Sequence, residues 1–129
     1  MYFAQERSMI LFTGIKNEYG TITIDQETIA QVAGLAATDG YGVVGMAAKS
    51  MKDGLVHLLK KENMTKGVRV HADGEYLTID LYIIVEYGTN IAAIADTLKS
   101  NVKYRVEEQV GLPVSEVNIF VEGVRIAKQ

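Results

Sequence analysis

The stretch YLTIDLYIIVEY, Tyr76 to Tyr87, decides the fold. Leu77, Ile79, Leu81, Ile83 and Val85 fall on one side of an extended chain, and Tyr76, Thr78, Asp80, Tyr82, Ile84 and Glu86 fall on the other. Period-two alternation in β-branched and aromatic residues predicts a strand with one face in the core. The second face carries two tyrosines and an isoleucine where solvent would favour charge. That half-apolar outer face points to a cover or a partner.

Upstream, Gly67 to Ala72 is expected to be a strand joined to this one through Asp73-Gly74, a strong two-residue hairpin signal. Such a loop pairs Ala72 with Glu75, His71 with Tyr76, Val70 with Leu77, Arg69 with Thr78 and Val68 with Ile79. Every pair then matches core with core and outside with outside. Downstream, Gly88-Thr89-Asn90 breaks the strand and caps a helix with the apolar stripe Ile91, Ile94, Ala95, Leu98, Val102, Val106 and Val110. Gly111 and Pro113 close it. About 20 helical residues span roughly 30 Å, the length of a ten-residue strand, so the helix should lie along Tyr76–Tyr87. A last strand turns Val117, Ile119 and Val121 inward and Asn118, Phe120 and Glu122 outward. Val124 and Ile126 are out of phase with it, which a bulge at Gly123 would repair.

Nearer the start, Met9 to Phe12 is a short apolar run that adds an edge strand or packs down the N-terminal arm. Gly20 to Ile24 alternates and reads as a strand with Ile22 and Ile24 inward. Asp25 caps a helix over Gln26 to about Thr38, whose buried face is Ile29, Val32, Ala33, Ala36 and Ala37. Val43 to Ala48 is expected to return as a strand beside the first, by a right-handed crossover. Lys49 to Asn63 has the spacing of a short amphipathic helix, with Met51, Leu55, Leu58 and Leu59 as its stripe and Gly54 interrupting it. The order β-α-β-(short α)-β-β-α-β predicts an α+β chain, a two-layer α/β sandwich whose mixed sheet carries two main helices on one face. Residues 1–14 are read as an arm or edge strand, 15–126 as one domain and 127–129 as a tail.

Composition narrows the function classes. Cysteine is absent from the 129 residues, which excludes disulfides and thiolate chemistry. No apolar run reaches the ~20 residues of a membrane span, and MYFAQERS has no basic n-region or apolar h-region. A net charge of −3 and a pI near 5.4 argue against wholesale phosphate binding and hence against a nucleic-acid partner. The expectation is a soluble cytoplasmic domain. Five lysines between Lys49 and Lys66 make one locally basic segment, read as a solvated face or a contact for an anionic membrane surface.

Gly40 to Gly45 spells G-x-G-x-x-G, but a helix precedes it and a strand follows. That reverses the order a dinucleotide fingerprint needs, so these glycines are read as a helix exit. His57 and His71 lack partners at metal-ligand spacing, Glu107 and Glu108 point in different directions, and Ser50, Ser100 and Ser115 show no nucleophile elbow. No catalytic, cofactor or metal residue is assigned, and the chain is expected not to be an enzyme. The candidate site is a protein-interaction face composed of Arg69, His71, Tyr76, Tyr82, Ile84 and Phe120, residue types that interface cores collect. Cover by the chain's own segments and an RNA-stacking platform are the competing readings.

The segments YGTITI (Tyr19–Ile24), GVVGMAAK (Gly42–Lys49), KDGL (Lys52–Leu55), DLYIIVEYG (Asp80–Gly88) and GLPVSEVNIFVEGVR (Gly111–Arg125) resemble the alkaline-shock-protein family of Gram-positive bacteria, in its YloU-like branch. The resemblance runs from about Ile15 to Ile126, with the V-N-I-x-V-x-G-V pattern at Val117–Val124 its most specific part. It implies a cytoplasmic, non-enzymatic protein linked to cell-envelope stress, peripheral to the inner face of the membrane. Members self-assemble into homo-oligomers and are held by a small membrane-anchored protein partner. The alternative it leaves open is a regulatory or ligand-binding domain tied to fatty-acid or phospholipid supply.

Overall fold

Eleven residues, Tyr76–Glu86, alternating in burial as far as Ile83, form the strand on which the other elements are hung. The computed structural model describes residues 12–49, 56–59, 61–73 and 76–126. In chain order the elements are β1 (Phe12–Asn17), β2 (Gly20–Asp25), α1 (Gln26–Thr38), β3 (Val43–Lys49), β4 (Val56–Leu58), a 3-10 segment (Lys61–Gly67), β5 (Val68–Asp73), β6 (Tyr76–Glu86), α2 (Ile91–Val110) and β7 (Val114–Arg125). One edge of β6 is taken along its length by β7, in parallel. The other edge is shared end to end: β5 pairs antiparallel with Tyr76–Leu81, and β3 with Ile83–Val85. β4 adds outside β3.

The change from β3 to β5 happens beside Tyr82 and requires Gly67. A Cβ there would lie 2.9 Å from the Met46 Cβ and 3.0 Å from the Ala47 carbonyl oxygen. Hydrogen in place of a side chain lets two strands abut on one edge. The expected two-layer α+β architecture is what forms, with both helices on one face of a mixed sheet. Leu77, Ile79, Leu81, Ile83 and Val85 are all fully buried against Ile29, Ala33 and Ala37 of α1 and Leu98, Val102 and Val106 of α2. The small residues of α1 bring its axis close to the sheet, and Asp25 caps it by accepting from the Glu27 N–H.

Four expectations are corrected. The hairpin pairs Val68 with Leu81, Arg69 with Asp80, Val70 with Ile79, His71 with Thr78, Ala72 with Leu77 and Asp73 with Tyr76. The two residues between the paired ends are therefore 74 and 75, and each β5 residue meets a partner two positions further along β6 than expected. A shift of two keeps every side chain on its own face, so alternation alone could not detect it. Second, β2 does not join the main sheet beside β3; it pairs with β1 as a separate ribbon, and Ile22 is exposed. Third, the helix expected over Lys49–Asn63 is absent from its described part, where β4 pairs with the open edge of β3 and a 3-10 segment follows. Ladder hydrogen bonds there outweigh a helical spacing already weakened by Gly54. Fourth, Ile91 of the α2 stripe is exposed, because it lies in the first turn beyond the sheet. Of the Met9–Phe12 run, 9–11 lie outside the described residues, and β1 crosses the expected boundary at 14/15.

The G-x-G-x-x-G spacing has a packing cause. Gly42 follows α1 with φ +82, and a Cβ on it would collide with Ile94 of α2. Near the end of the chain, β7 steps from Ile83–Val121 to Ile84–Gly123 on β6, leaving Glu122 as the extra residue, one position from the expected bulge.

α2 and β7 are joined by a clamp. Glu107 Oε2 accepts from the Val114 N–H at 2.9 Å and from Lys103 Nζ at 2.9 Å, while Lys103 Nζ also donates to the Val114 carbonyl at 2.8 Å. The Val114 N–H, then Lys103, hold the Glu107 carboxyl below its usual range. A carboxylate whose folded pKa is depressed adds stability above its unfolded value, about 4.3, and loses it as pH falls through the folded one. Urea titrations of wild type and Glu107→Gln across this acid range should therefore converge as pH falls, with the wild type more stable at neutral pH. A constant gap would show that the carboxylate's charge plays no part.

Candidate functional site

The face of the sheet turned away from the helices is organised by cross-strand neighbours. β7 runs parallel to β6 in a register that sets Tyr82 beside Phe120 and Asp80 beside Asn118. The Tyr82 and Phe120 rings stack with centroids 4.8 Å apart and planes 13° from parallel. From the opposite neighbour, β5, the Arg69 guanidinium lies over the Tyr82 ring, 5.6 Å from its centroid. The row Arg69–Tyr82–Phe120 therefore crosses three strands, with a cation on one side of the tyrosine and a phenyl ring on the other.

A polar row runs beside it. Asp80 Oδ1 accepts from Asn118 Nδ2 at 2.9 Å, and Asp80 Oδ2 lies 3.4 Å from His71 Nε2. The Asp80 side chain is only 17% exposed, and both of its oxygens are engaged. Beyond it, the Thr78 and Ser115 hydroxyls are 3.5 Å apart, and Ser115 donates to the Leu77 carbonyl. Among the described residues no hydrogen bond joins a hydroxyl to His71, and no group of three His, Asp or Glu could hold a metal ion. The arrangement is a histidine–carboxylate pair without a nucleophile attached.

Of the six residues expected on this face, Arg69, Tyr82 and Phe120 are brought into one row and His71 into the next. Tyr76 is half-exposed at the hairpin end, about 20 Å along the strand from Tyr82. Ile84 is corrected: it has the expected orientation but is fully buried, so it offers nothing to a partner. Its cross-strand neighbours are Gly45 and Gly123, and Leu58 of β4 folds over Gly45. Asp80 and Asn118 were not picked out, although alternation sets both outward. The parallel register that joins them is what the sequence does not display.

The register also decides which contacts form. With the hairpin expected from Asp73-Gly74, Arg69 would stand opposite Thr78 and His71 opposite Tyr76. In the observed pairing each of these side chains reaches diagonally to the next residue of its own face, Arg69 to Tyr82 and His71 to Asp80.

These features define a class: an α+β domain with a packed helix layer on one side of its sheet and an ordered aromatic and polar face on the other. The chain belongs to the alkaline shock protein 23 family, described by a cell envelope-related function, and the family's match covers residues 14–126. It is 51% identical over 113 residues to the uncharacterized protein YloU of Bacillus subtilis, covering 87% of this chain and 94% of that one. It is 31% identical to a stress response regulator gls24 homolog of Streptococcus pyogenes, over 85% of this chain and 62% of that protein. Among solved structures, the copper form of the MamM CTD aligns with a TM-score of 0.48 and 15% identity, over 81% of this chain and 91% of that one.

Stacked aromatic pairs couple by about 0.5–1.5 kcal/mol beyond the area they bury. A double-mutant cycle on Tyr82→Leu and Phe120→Leu, read by urea unfolding, should return coupling in that range. Additive losses would mean the rings do not stack in solution.

Proposed function

We propose that the chain is a non-enzymatic interaction module of the cell envelope, acting from the cytoplasmic side by self-association and by docking a membrane-anchored partner through its outer sheet face. The observation that carries this reading is the Arg69–Tyr82–Phe120 row. Its phenylalanine is 41% exposed on a face that none of the described helices covers. Ordered aromatic groups beside an arginine are what the centre of a protein interface uses, because little side-chain entropy remains to be lost on binding. Membership of a family with an envelope-related function supports the location. Among the described residues no helix is long and apolar enough to cross a membrane, which fits attachment through a partner.

The same geometry weighs against the other readings. Both faces of the Tyr82 ring are occupied, so it offers no free surface on which a nucleobase could stack. A lipid or acyl ligand would need an apolar space between the helices and the sheet, but the residues there are packed to near-complete burial. The exception is a groove of about 150 Å³ at the edge of that layer, between α2 and the start of β3, which includes Gly40, Val43, Ile94 and Leu98 and falls below the roughly 300–1,000 Å³ of a small-molecule pocket.

Tyr82→Lys places a second cation next to Arg69 and removes the stack without touching the core. Light scattering, with affinity capture from lysate read by mass spectrometry, should show loss of self-association or of a specific partner in a variant whose circular dichroism is unchanged. Two monomeric proteins with identical captured sets would refute the proposal.

A further inference from the structure

β5 is an edge strand, and its pairing states which backbone groups face away from β6. The hairpin closes on Asp73 and Tyr76, so Arg69–Asp80, His71–Thr78 and Asp73–Tyr76 are the hydrogen-bonded pairs. Val68, Val70 and Ala72 therefore turn their N–H and C=O groups away from β6. The Val70 carbonyl agrees with this: it accepts from Gln26 Nε2 at 2.8 Å, so a side-chain amide sits where a neighbouring strand would place its N–H. Among the described residues no backbone group bonds to this edge. Beyond it opens a cleft of about 1040 Å³. Lys66 and β5 residues Val68 to His71 form one wall, Thr23 and Asp25 stand across from them, and Ala30 lies between.

We propose that this cleft takes an extended segment of a partner protein as an added strand on β5, with carboxylates at alternate positions. A strand laid there puts every second side chain on the outer face beside Arg69 and His71, both exposed, with Lys66 at the mouth. Opposite charges on adjacent strands of one face attract, and like charges repel. The intervening side chains point toward Val68 and Val70, each 8% exposed, and toward Ala30 on α1, which suits small apolar groups. Asp25 and Glu27, at the start of α1, repel carboxylates on that lower side and so fix the phase of the segment. Main-chain bonds to the Val68 carbonyl, the Val70 N–H and Ala72 supply affinity, the Gln26 amide gives way at the Val70 carbonyl, and the charge pattern supplies selectivity.

This site shares Arg69 and His71 with the outer face, and the backbone edge is what tells the two apart. Val70→Pro removes an N–H that points away from β6 and leaves the bonds of Arg69, His71 and Asp73 in place. Arg69→Glu keeps the edge and reverses its charge, which covers the case in which the proline variant does not fold. The probe is a synthetic heptapeptide of alternating glutamate and valine, followed by amide shifts in the full chain, with a lysine–valine peptide as the control. The Val68 and Ala72 amides should shift saturably with the acidic peptide and not with the basic one. Val70→Pro and Arg69→Glu should each weaken binding by about tenfold, the size of one lost charge-assisted or main-chain hydrogen bond. The proposal is overturned by absent shifts, by equal affinity for the two peptides, or by a Val70 amide already protected from exchange in the peptide-free chain. It is also overturned if Val70→Pro dissociates a dimer, since a second copy would then hold the edge.

Discussion

Hydrogen bonding by β6 on both edges is the constraint from which the molecule's two faces follow. β7 takes one edge and fixes Phe120 beside Tyr82 and Asn118 beside Asp80. β5 and β3 divide the other, and the absence of a side chain at Gly67 is what lets them meet there. With both edges fixed, the alternating side chains have no freedom of phase. Five go entirely into the helix layer, and the set between them is arranged into cross-strand rows. The clamp of Glu107 and Lys103 on Val114 locks the start of β7 to α2, so the register of the aromatic row is held from outside the sheet as well.

How that face is used depends on what its groups already bind. Asp80 is satisfied by Asn118 and His71, and Tyr82 is enclosed between a guanidinium and a ring. Such groups cannot rearrange around a small ligand without losing contacts, but they present a fixed surface to a macromolecule. A preorganised face with aromatic groups, an arginine and a partly screened histidine supports the docking role proposed above. It also fits a family whose function lies at the cell envelope.

Much of this was legible beforehand, for reasons that differ by element. The limits of α1 follow from Asp25 as a cap and the Ile29–Ala37 stripe, and those of α2 from Asn90 and Gly111. The two faces of β6 follow from alternation. What alternation cannot fix is a register that slips by two, and the turn chemistry of Asp73-Gly74 pointed to the wrong one. The observed pairing instead sets Arg69 directly across from Asp80, a charge complement visible only once both strands are known. Val56–Leu58 is not legible as a strand because three residues have no period of their own and β4 exists only through β3. Ile84 shows a further limit: its direction is readable, but it is buried between cross-strand neighbours, Gly45 and Gly123, that lie far away in the chain.

Cross-strand Hα–Hα contacts in a nuclear Overhauser spectrum test this register most directly, because such contacts are short only between non-hydrogen-bonded antiparallel partners. The account predicts strong contacts for Val68–Leu81, Val70–Ile79 and Ala72–Leu77. Contacts between His71 and Tyr76, or between Arg69 and Thr78, the non-hydrogen-bonded partners of the hairpin expected from Asp73-Gly74, would contradict it, and with it the placement of Arg69 over Tyr82 and His71 beside Asp80.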